Sequence, residues 1–383
     1  MGDSAGGNVA HHAAARLNFC FRVRTEFPTH QTLKKKMDLS RCVLARVLLP
    51  MAATGPVPFE DVVDDRGTVP VARDPKEEFG DLVVGLPRKE QFLVRRLYKG
   101  FWLLEPYVPG ILAFQCRFTP RPDDVFLTSY PKCGTTWLKA LAFAAMARDA
   151  YPPNATDHPL RRLNPHACVP FMEEIYSKRR EAKLEGLPSP RLLNTHIAYS
   201  LLPETVTTDG CCKVVYIYRD PKDMVVSLYH FHRRLQPDLS FADMFDSVLD
   251  GTVPNGPVWD HVLGYWHASV ARPDRVLFLK YEDLLQNTDE HVRKLAEFMG
   301  RPFSAAEEAA GIVASIVDLC SFDKMKNLEV NKTGAIVGKF KSIAHDAFFR
   351  KGITGDWVNH MSPKMASRLD EIFSDKLRGT VLT

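Results

Sequence analysis

Two strand–turn–helix units constrain this chain more than any other feature in it. In the first, Asp124–Ser129 is a short apolar run that ends at a Tyr-Pro turn, and Thr135–Arg148 follows with no Gly or Pro inside. Such a run predicts a buried strand, and the uninterrupted stretch behind it predicts a helix. In the second, Lys213–Tyr218 is β-branched and aromatic, and Asp220–Arg234 opens with Asp220 at the N-cap, Pro221 in the first turn and Asp223 at the third position, a helix start signal. Arg191–Thr195 and Val276–Lys280 read as further strands. Asp289–Met299, Ala305–Leu319 and the short Gln91–Trp102 read as helices. The stretch from Met51 to about Gly80 is rich in Pro, Asp and Gly and reads as surface-wrapping chain. Strands alternating with helices predict an α/β fold, a mostly parallel sheet with helices on both faces. There is no internal repeat, so residues 55–383 read as one domain.

Composition narrows the function. A formal net charge of +4 over 383 residues is far from the basic stripe of a nucleic-acid binder. No run of about 18 apolar residues is present, which argues against a membrane span, and Met1-Gly2-Asp3 does not open a secretory signal. None of the eight cysteines forms a C-x-x-C pair, so a zinc site is not expected, and reduced thiols in a cytoplasmic protein are.

The first 50 residues stand apart. Gly2-Asp3-Ser4-Ala5-Gly6 matches a G-x-S-x-G nucleophile elbow, and the stretch through Arg16 resembles a fragment of plant-type carboxylesterases. An elbow serine needs a strand to deliver it, and one residue precedes this motif. Residues 17–50, with Lys34-Lys35-Lys36, Arg41 and Arg46, do not continue that resemblance. Residues 1–50 are therefore expected to be an extraneous, poorly ordered extension, with the native polypeptide starting at Met51.

The loop of the first unit reads Tyr130-Pro131-Lys132-Cys133-Gly134-Thr135-Thr136-Trp137. It suits an anion. Gly134 lets backbone approach a phosphate, the N–H groups of the helix start point at it, and the dipole favours negative charge there. Thr135 and Thr136 add hydroxyls, Lys132 a mobile charge and Trp137 a flat face for a base. A Walker loop is excluded, because the lysine precedes a single glycine. The segment resembles the 5′-phosphosulfate-binding signature T-Y-P-K-S-G-T-T-W of cytosolic sulfotransferases, with Ser129 for Thr and Cys133 for Ser. The resemblance implies a strand–phosphosulfate-loop–helix nucleotide site for 3′-phosphoadenosine 5′-phosphosulfate (PAPS) as co-substrate, built from Lys132 through Trp137.

Three further segments follow in the same family's order. Arg219 ends the third strand and Ser227 lies on the next helix, where the resemblance implies a grip on the 3′-phosphate. Arg350-Lys351-Gly352 ahead of Gly355-Asp356-Trp357 resembles the loop that closes over that phosphate, and Tyr281 matches a tyrosine beside the adenine. Cys320-Ser321-Phe322 matches a Thr-Ser-Phe cluster in which Phe322 stacks on the base. Any lone histidine is more often structural than catalytic. His196, at a strand end, matches the family's general base, and a ring near its ordinary pKa suits that work. Asn194 stands where many animal members carry a supporting lysine, and Ala198 where Pro is usual, so Lys132 is expected to carry more of the leaving-group charge. In-line sulfuryl transfer needs positioning and charge stabilisation, with no metal.

The resemblance covers about residues 55–383 and is closest to plant-type members. It implies a sulfotransferase acting on a small hydroxyl acceptor of flavonoid, steroid or hydroxy-acid type, or else a catalytically silent phosphoadenosine-binding protein. No nucleic-acid or membrane partner is expected. Val358, Ser362, Pro363 and Ser367 depart from the animal dimer segment, which favours a monomer. Residues 82–115, 151–190 and 235–262 are the candidate acceptor loops, with Phe101, Trp102, Tyr107, Phe171, Tyr176 and Trp259 either lining an apolar pocket or belonging to the core.

Overall fold

In the computed structural model, which describes residues 55–63, 72–91, 93–208, 212–338 and 342–382, nine strands form three sheets. β1 (Arg88–Lys89), β2 (Arg95–Tyr98) and β3 (Phe101–Leu104) make a small antiparallel sheet. β4 (Val125–Ser129), β5 (Leu192–Thr195), β6 (Lys213–Tyr218) and β7 (Val276–Lys280) make a parallel sheet in the spatial order β5-β4-β6-β7. β8 (Ala335–Val337) and β9 (Ser342–Ala344) pair as a hairpin. The described residues all belong to the unit Met51–Thr383. Ser4 and its elbow-like motif, the lysine run, and His11, His12 and His30 lie outside them.

The parallel sheet is buried on both faces, as its near-continuous apolar strands require. Alternate residues of one strand enter different cores. Val214, Tyr216 and Tyr218 of β6 pack into one, together with Ile111, Phe114, Met172, Val225 and Val262. Val215 and Ile217 pack into the other, with Leu138, Leu141, Val292, Leu295 and Ile316. The order of the strands puts a switch point at the β4/β6 boundary, where the chain leaves in opposite directions and a ligand crevice opens beyond the strand ends. Both phosphate-binding segments read from the sequence start at that crevice.

Three local expectations are corrected. Gln91–Trp102 is not a helix; β2 and β3 form a hairpin through Lys99 (φ 46°) and Gly100 (φ 88°). Two consecutive left-handed residues make the tight turn whose twist matches paired strands. The stretch Ala305–Leu319 is broken into Ala305–Ala309 and Ile312–Leu319, with Gly311 left-handed between them (φ 69°). A helix, Pro75–Gly85, occupies chain expected to wrap the surface; Asp74 caps it by accepting from the Lys76 N–H, and Pro75 sits in its first turn.

Candidate active site

The loop after β4 is held in a conformation that L-residues seldom adopt. Lys132 has φ 69° and Gly134 φ 105°, so successive N–H groups turn toward one side as an anion nest does. A Cβ on Gly134 would come within 2.7 Å of the Tyr281 ring, so the loop fits against Tyr281 only with glycine there. Behind it, Ser129 Oγ and Thr135 Oγ1 are 2.6 Å apart, which ties the strand end to the first residue of helix Thr135–Met146. The Lys132 ammonium lies over the Phe231 and Phe348 rings, 4.3 and 5.6 Å from their centroids. Burial, then the charges of Arg219, Arg350 and Arg234, lower its pKa to about 7.

Arg219, beyond β6, is buried. Its guanidinium donates to the Ile353 carbonyl (2.8 Å) and stacks 4.7 Å from the Tyr281 ring centroid, while its Nε has no partner. Asp223 does not complete the helix cap expected of it. Its carboxylate accepts instead from the backbone of Gly355 (2.6 Å) and Trp357 (3.0 Å), fastening the C-terminal loop onto helix Pro221–Leu235. Asp356 pairs with both Arg350 and Lys351. Burial works against its charge, but hydrogen bonds from Lys351, Arg350 and Asn359 win and hold the carboxyl well below the usual range. Gly352 is left-handed (φ 69°), and a Cβ there would come within 2.4 Å of Phe322. Loop and ring are thus in close contact.

His196 follows β5. Its Nδ1–H donates to the Ser129 carbonyl at 2.9 Å, so in the neutral ring Nε2 carries no proton and can accept one. The backbone around it is fixed from two sides. Its N–H donates to Glu173 Oε1 (2.7 Å), and its carbonyl accepts from His261 Nε2 (3.0 Å), whose Nδ1 lies 3.0 Å from the Tyr216 hydroxyl. Burial drives the His196 pKa down to about 3, opposed by the bond to Ser129 and reinforced by Lys139, His261 and Lys132. This differs from a ring near its ordinary value: the imidazole stays neutral to well below neutral pH.

Residues 122–381 match the Sulfotransferase domain family. The chain belongs to that family. A flavonol 4′-sulfotransferase of Flaveria chlorifolia is 43% identical over 289 residues, covering 74% of this chain and 88% of the relative. Cytosolic sulfotransferase 12 of Arabidopsis thaliana is 40% identical over 316 residues, covering 81% and 94%. The crystal structure of mouse sulfotransferase SULT7A1 complexed with PAP, the desulfated donor, is 28% identical, covers 75% of this chain and 95% of that one, and has a TM-score of 0.59. This is therefore a PAPS-dependent sulfotransferase of the plant cytosolic type, which moves a sulfuryl group onto a hydroxyl of a small acceptor.

The sulfotransferase has one cavity of about 890 Å³ that gathers almost every site residue read from the sequence: Lys132, Gly134 through Trp137, His196, Arg219, Ser227, Tyr281 and Arg350 through Gly352. The donor fits what is there. Lys132, Arg219, Arg350 and Lys351 bring positive charge to the cavity wall, and the buried Arg219 has an unpartnered N–H. Cys133 is the exception. Its side chain is packed in the core rather than on the cavity wall, and burial pushes the thiol up to about 12, so only its backbone can serve the nest. Cys116, Cys133, Cys168, Cys212 and Cys320 are thiols, not disulfides.

The six candidate aromatics divide between the two readings left open by the sequence. Of the six aromatics, Tyr107 and Phe171 line the cavity. Phe101 and Tyr176 are buried in the core, and Trp259 packs on Phe373; Trp102 pairs through its backbone with Leu97 and Gly256. Asn194 is turned into the sheet, donating to the Leu127 carbonyl (2.7 Å), so it does not replace a charge at the transfer point. Sequence reasoning missed Phe231, Phe348, Ile336, Val337 and His166 on the wall, and the buried Glu173, raised to about 7 by burial against the hydrogen bonds it accepts. Helical spacing from Ser227 would have found Phe231, one turn further on. No local signal marks the β8–β9 hairpin as part of the wall.

Proposed function

We propose that His196 is the general base, and that the acceptor is a flat, largely apolar phenol or sterol-like alcohol. The observation that carries this reading is the His196 Nδ1–H bond to Ser129, the last residue of the strand that feeds the phosphosulfate loop. It leaves Nε2 as a proton acceptor on the wall shared with Lys132 and Thr136. As the acceptor oxygen bonds to sulfur, its proton passes to Nε2. The S–O bond to the 5′-phosphate breaks with its electron pair on the phosphate oxygen, where Lys132 supplies positive charge. The loop Lys132–Trp137 holds the 5′ end. Arg219, Ser227 and Arg350–Gly352 hold the 3′-phosphate, with Tyr281 and Phe322 against the adenine. Phe59, Leu93, Leu104, Tyr107, Phe171 and Ile336 line the other end, which suits an apolar body, and the similarity to a flavonol 4′-sulfotransferase supports a flavonoid.

We also infer a cytoplasmic monomer, with residues 1–50 extraneous to the sulfotransferase domain. Among the described residues no helix is long and apolar enough to cross a membrane. Ser362 and Pro363, at the animal dimer positions, are used to start helix Pro363–Lys376. The test is transfer from labelled PAPS, without added metal, to a panel of flavonols, sterols and hydroxy acids. Transfer to one class names the acceptor. No transfer to any, with tight PAP binding retained, would turn the reading toward a silent donor-binding protein.

A further inference from the structure

One buried charge in this molecule is not used by the chemistry above. Lys139, on the second turn of helix Thr135–Met146, has no exposed surface. A lysine this deep requires partners for its N–H groups. It has two: Nζ donates to the Val169 carbonyl at 3.2 Å and reaches His166 Nδ1 at 3.1 Å. Burial lowers the Lys139 pKa to about 7; in its ammonium form Nζ can only donate, so there Nδ1 accepts and the proton of the neutral ring sits on Nε2. That nitrogen is 2.9 Å from Thr136 Oγ1, and the N–H donates to the hydroxyl. The Thr136 hydrogen then remains to be donated, and Thr136 lines the cavity.

The ring is itself well held. Asn164 caps the short helix Pro165–Cys168 by accepting from the His166 N–H at 3.0 Å, and Phe348 packs against the imidazole with centroids 4.2 Å apart. Burial, then the charges of Lys139, His196, Lys132 and His345, hold the His166 pKa well below its ordinary value, which keeps the ring neutral and the single-proton logic intact.

We propose that Lys139 and His166 are positioning residues for donor binding: through the chain Lys139 Nζ–H to His166 Nδ1 and His166 Nε2–H to Thr136 Oγ1, they fix the Thr136 hydroxyl as a hydrogen-bond donor to the phosphosulfate end of PAPS. A threonine hydroxyl at a helix start otherwise rotates among local acceptors. Loading its lone pair from behind turns it toward the anion before the anion arrives. The inference rests on the reading of Thr136 as a donor ligand.

The experiment is a double-mutant cycle on the full chain, with Thr136→Val, His166→Phe and the double variant. It is read as the Kd for PAP by calorimetry and the KM for PAPS and for the acceptor. A hydrogen bond to a charged group is worth about a tenfold to hundredfold change. His166→Phe is expected to weaken donor binding about tenfold with the acceptor KM within about twofold of wild type, and the double variant to be no worse than Thr136→Val alone. Lys139→Met follows His166→Phe, and His166→Gln, which keeps an N–H within reach of Thr136, recovers most of the loss. Thermal unfolding confirms that each variant is folded; a Lys139→Met protein that is not folded leaves the cycle at Thr136 and His166 to decide. Losses that add in the double variant, or an unchanged donor Kd in His166→Phe, overturn the inference. No effect of Thr136→Val overturns the underlying reading of Thr136 instead.

Discussion

The two ends of the cavity are built on different principles. At the proposed donor end the wall is backbone and fixed charge: a loop with two left-handed residues, a buried arginine beyond β6, and a C-terminal loop fastened through Asp223 and Asp356. At the proposed acceptor end it is apolar side chains from segments far apart in the chain, from Phe59 to Val337. An anion of fixed geometry demands particular residues at particular torsions. An apolar body demands only volume and surface, which many side chains supply. The donor end should therefore be intolerant of substitution, with losses confined to donor or chemistry, and the acceptor end tolerant, with losses confined to acceptor.

The largest effect expected is at the junction. His196→Ala removes the base, and general-base catalysis is worth about 10²–10⁴-fold, so turnover falls by that factor while PAP binds as before. Retention of more than about a tenth of the wild-type rate would remove His196 from the role. Next is Arg219→Ala, which strips a buried charged donor from the proposed 3′-phosphate site and unstacks Tyr281. PAP affinity should drop about 30- to 100-fold, with the acceptor KM unchanged; a matching rise in acceptor KM would show the two ends to be coupled. Phe171→Ala is the mirror experiment. It should raise the acceptor KM about tenfold, the scale of one lost aromatic contact, and leave the PAPS KM alone.

The smallest effect is a pH dependence. Lys132 has a pKa lowered to about 7 in the unliganded site, so it loses its charge as pH rises through that value. Above about pH 7, where the PAP phosphates are largely ionised, PAP affinity should decline by a few-fold in the wild type and decline less in Lys132→Met. His196, held to about 3, stays neutral over the same range and gives no opposing limb. An affinity that rises with pH would refute this ordering of the two groups.

The same contrast explains what could be read in advance. Lys132, Arg219, Arg350 and Gly352, which line one cavity, could be named as candidates because each lies in a short contiguous motif whose torsions and charges are local properties. The strands were legible because β-branched runs such as Lys213–Tyr218 alternate between two cores. The helix Pro75–Gly85 was also legible, through Asp74 and Pro75, but was outweighed by the Pro and Gly content before it. Gln91–Trp102 misled because its apolar spacing is helical in part, while the Lys99-Gly100 turn decides its structure. Asp223 looked like a cap, and only the packed C-terminal loop shows that it serves Gly355 and Trp357.

By itself, the sequence determined the α/β class and the glycine turn after β4, and it named the candidate phosphate-binding residues, because these follow from backbone torsion and charge within a few residues. Only the tertiary structure decided the rest. It brought Phe59, Tyr107, Phe171 and Ile336 to one wall, turned Asn194 away from the site, and buried Cys133. It also linked Lys139 through His166 to Thr136. Those outcomes depend on contacts between segments tens to hundreds of residues apart, and on burial, which sets both the proton positions and the pKa values of the site. Neither is a property of any local stretch of chain.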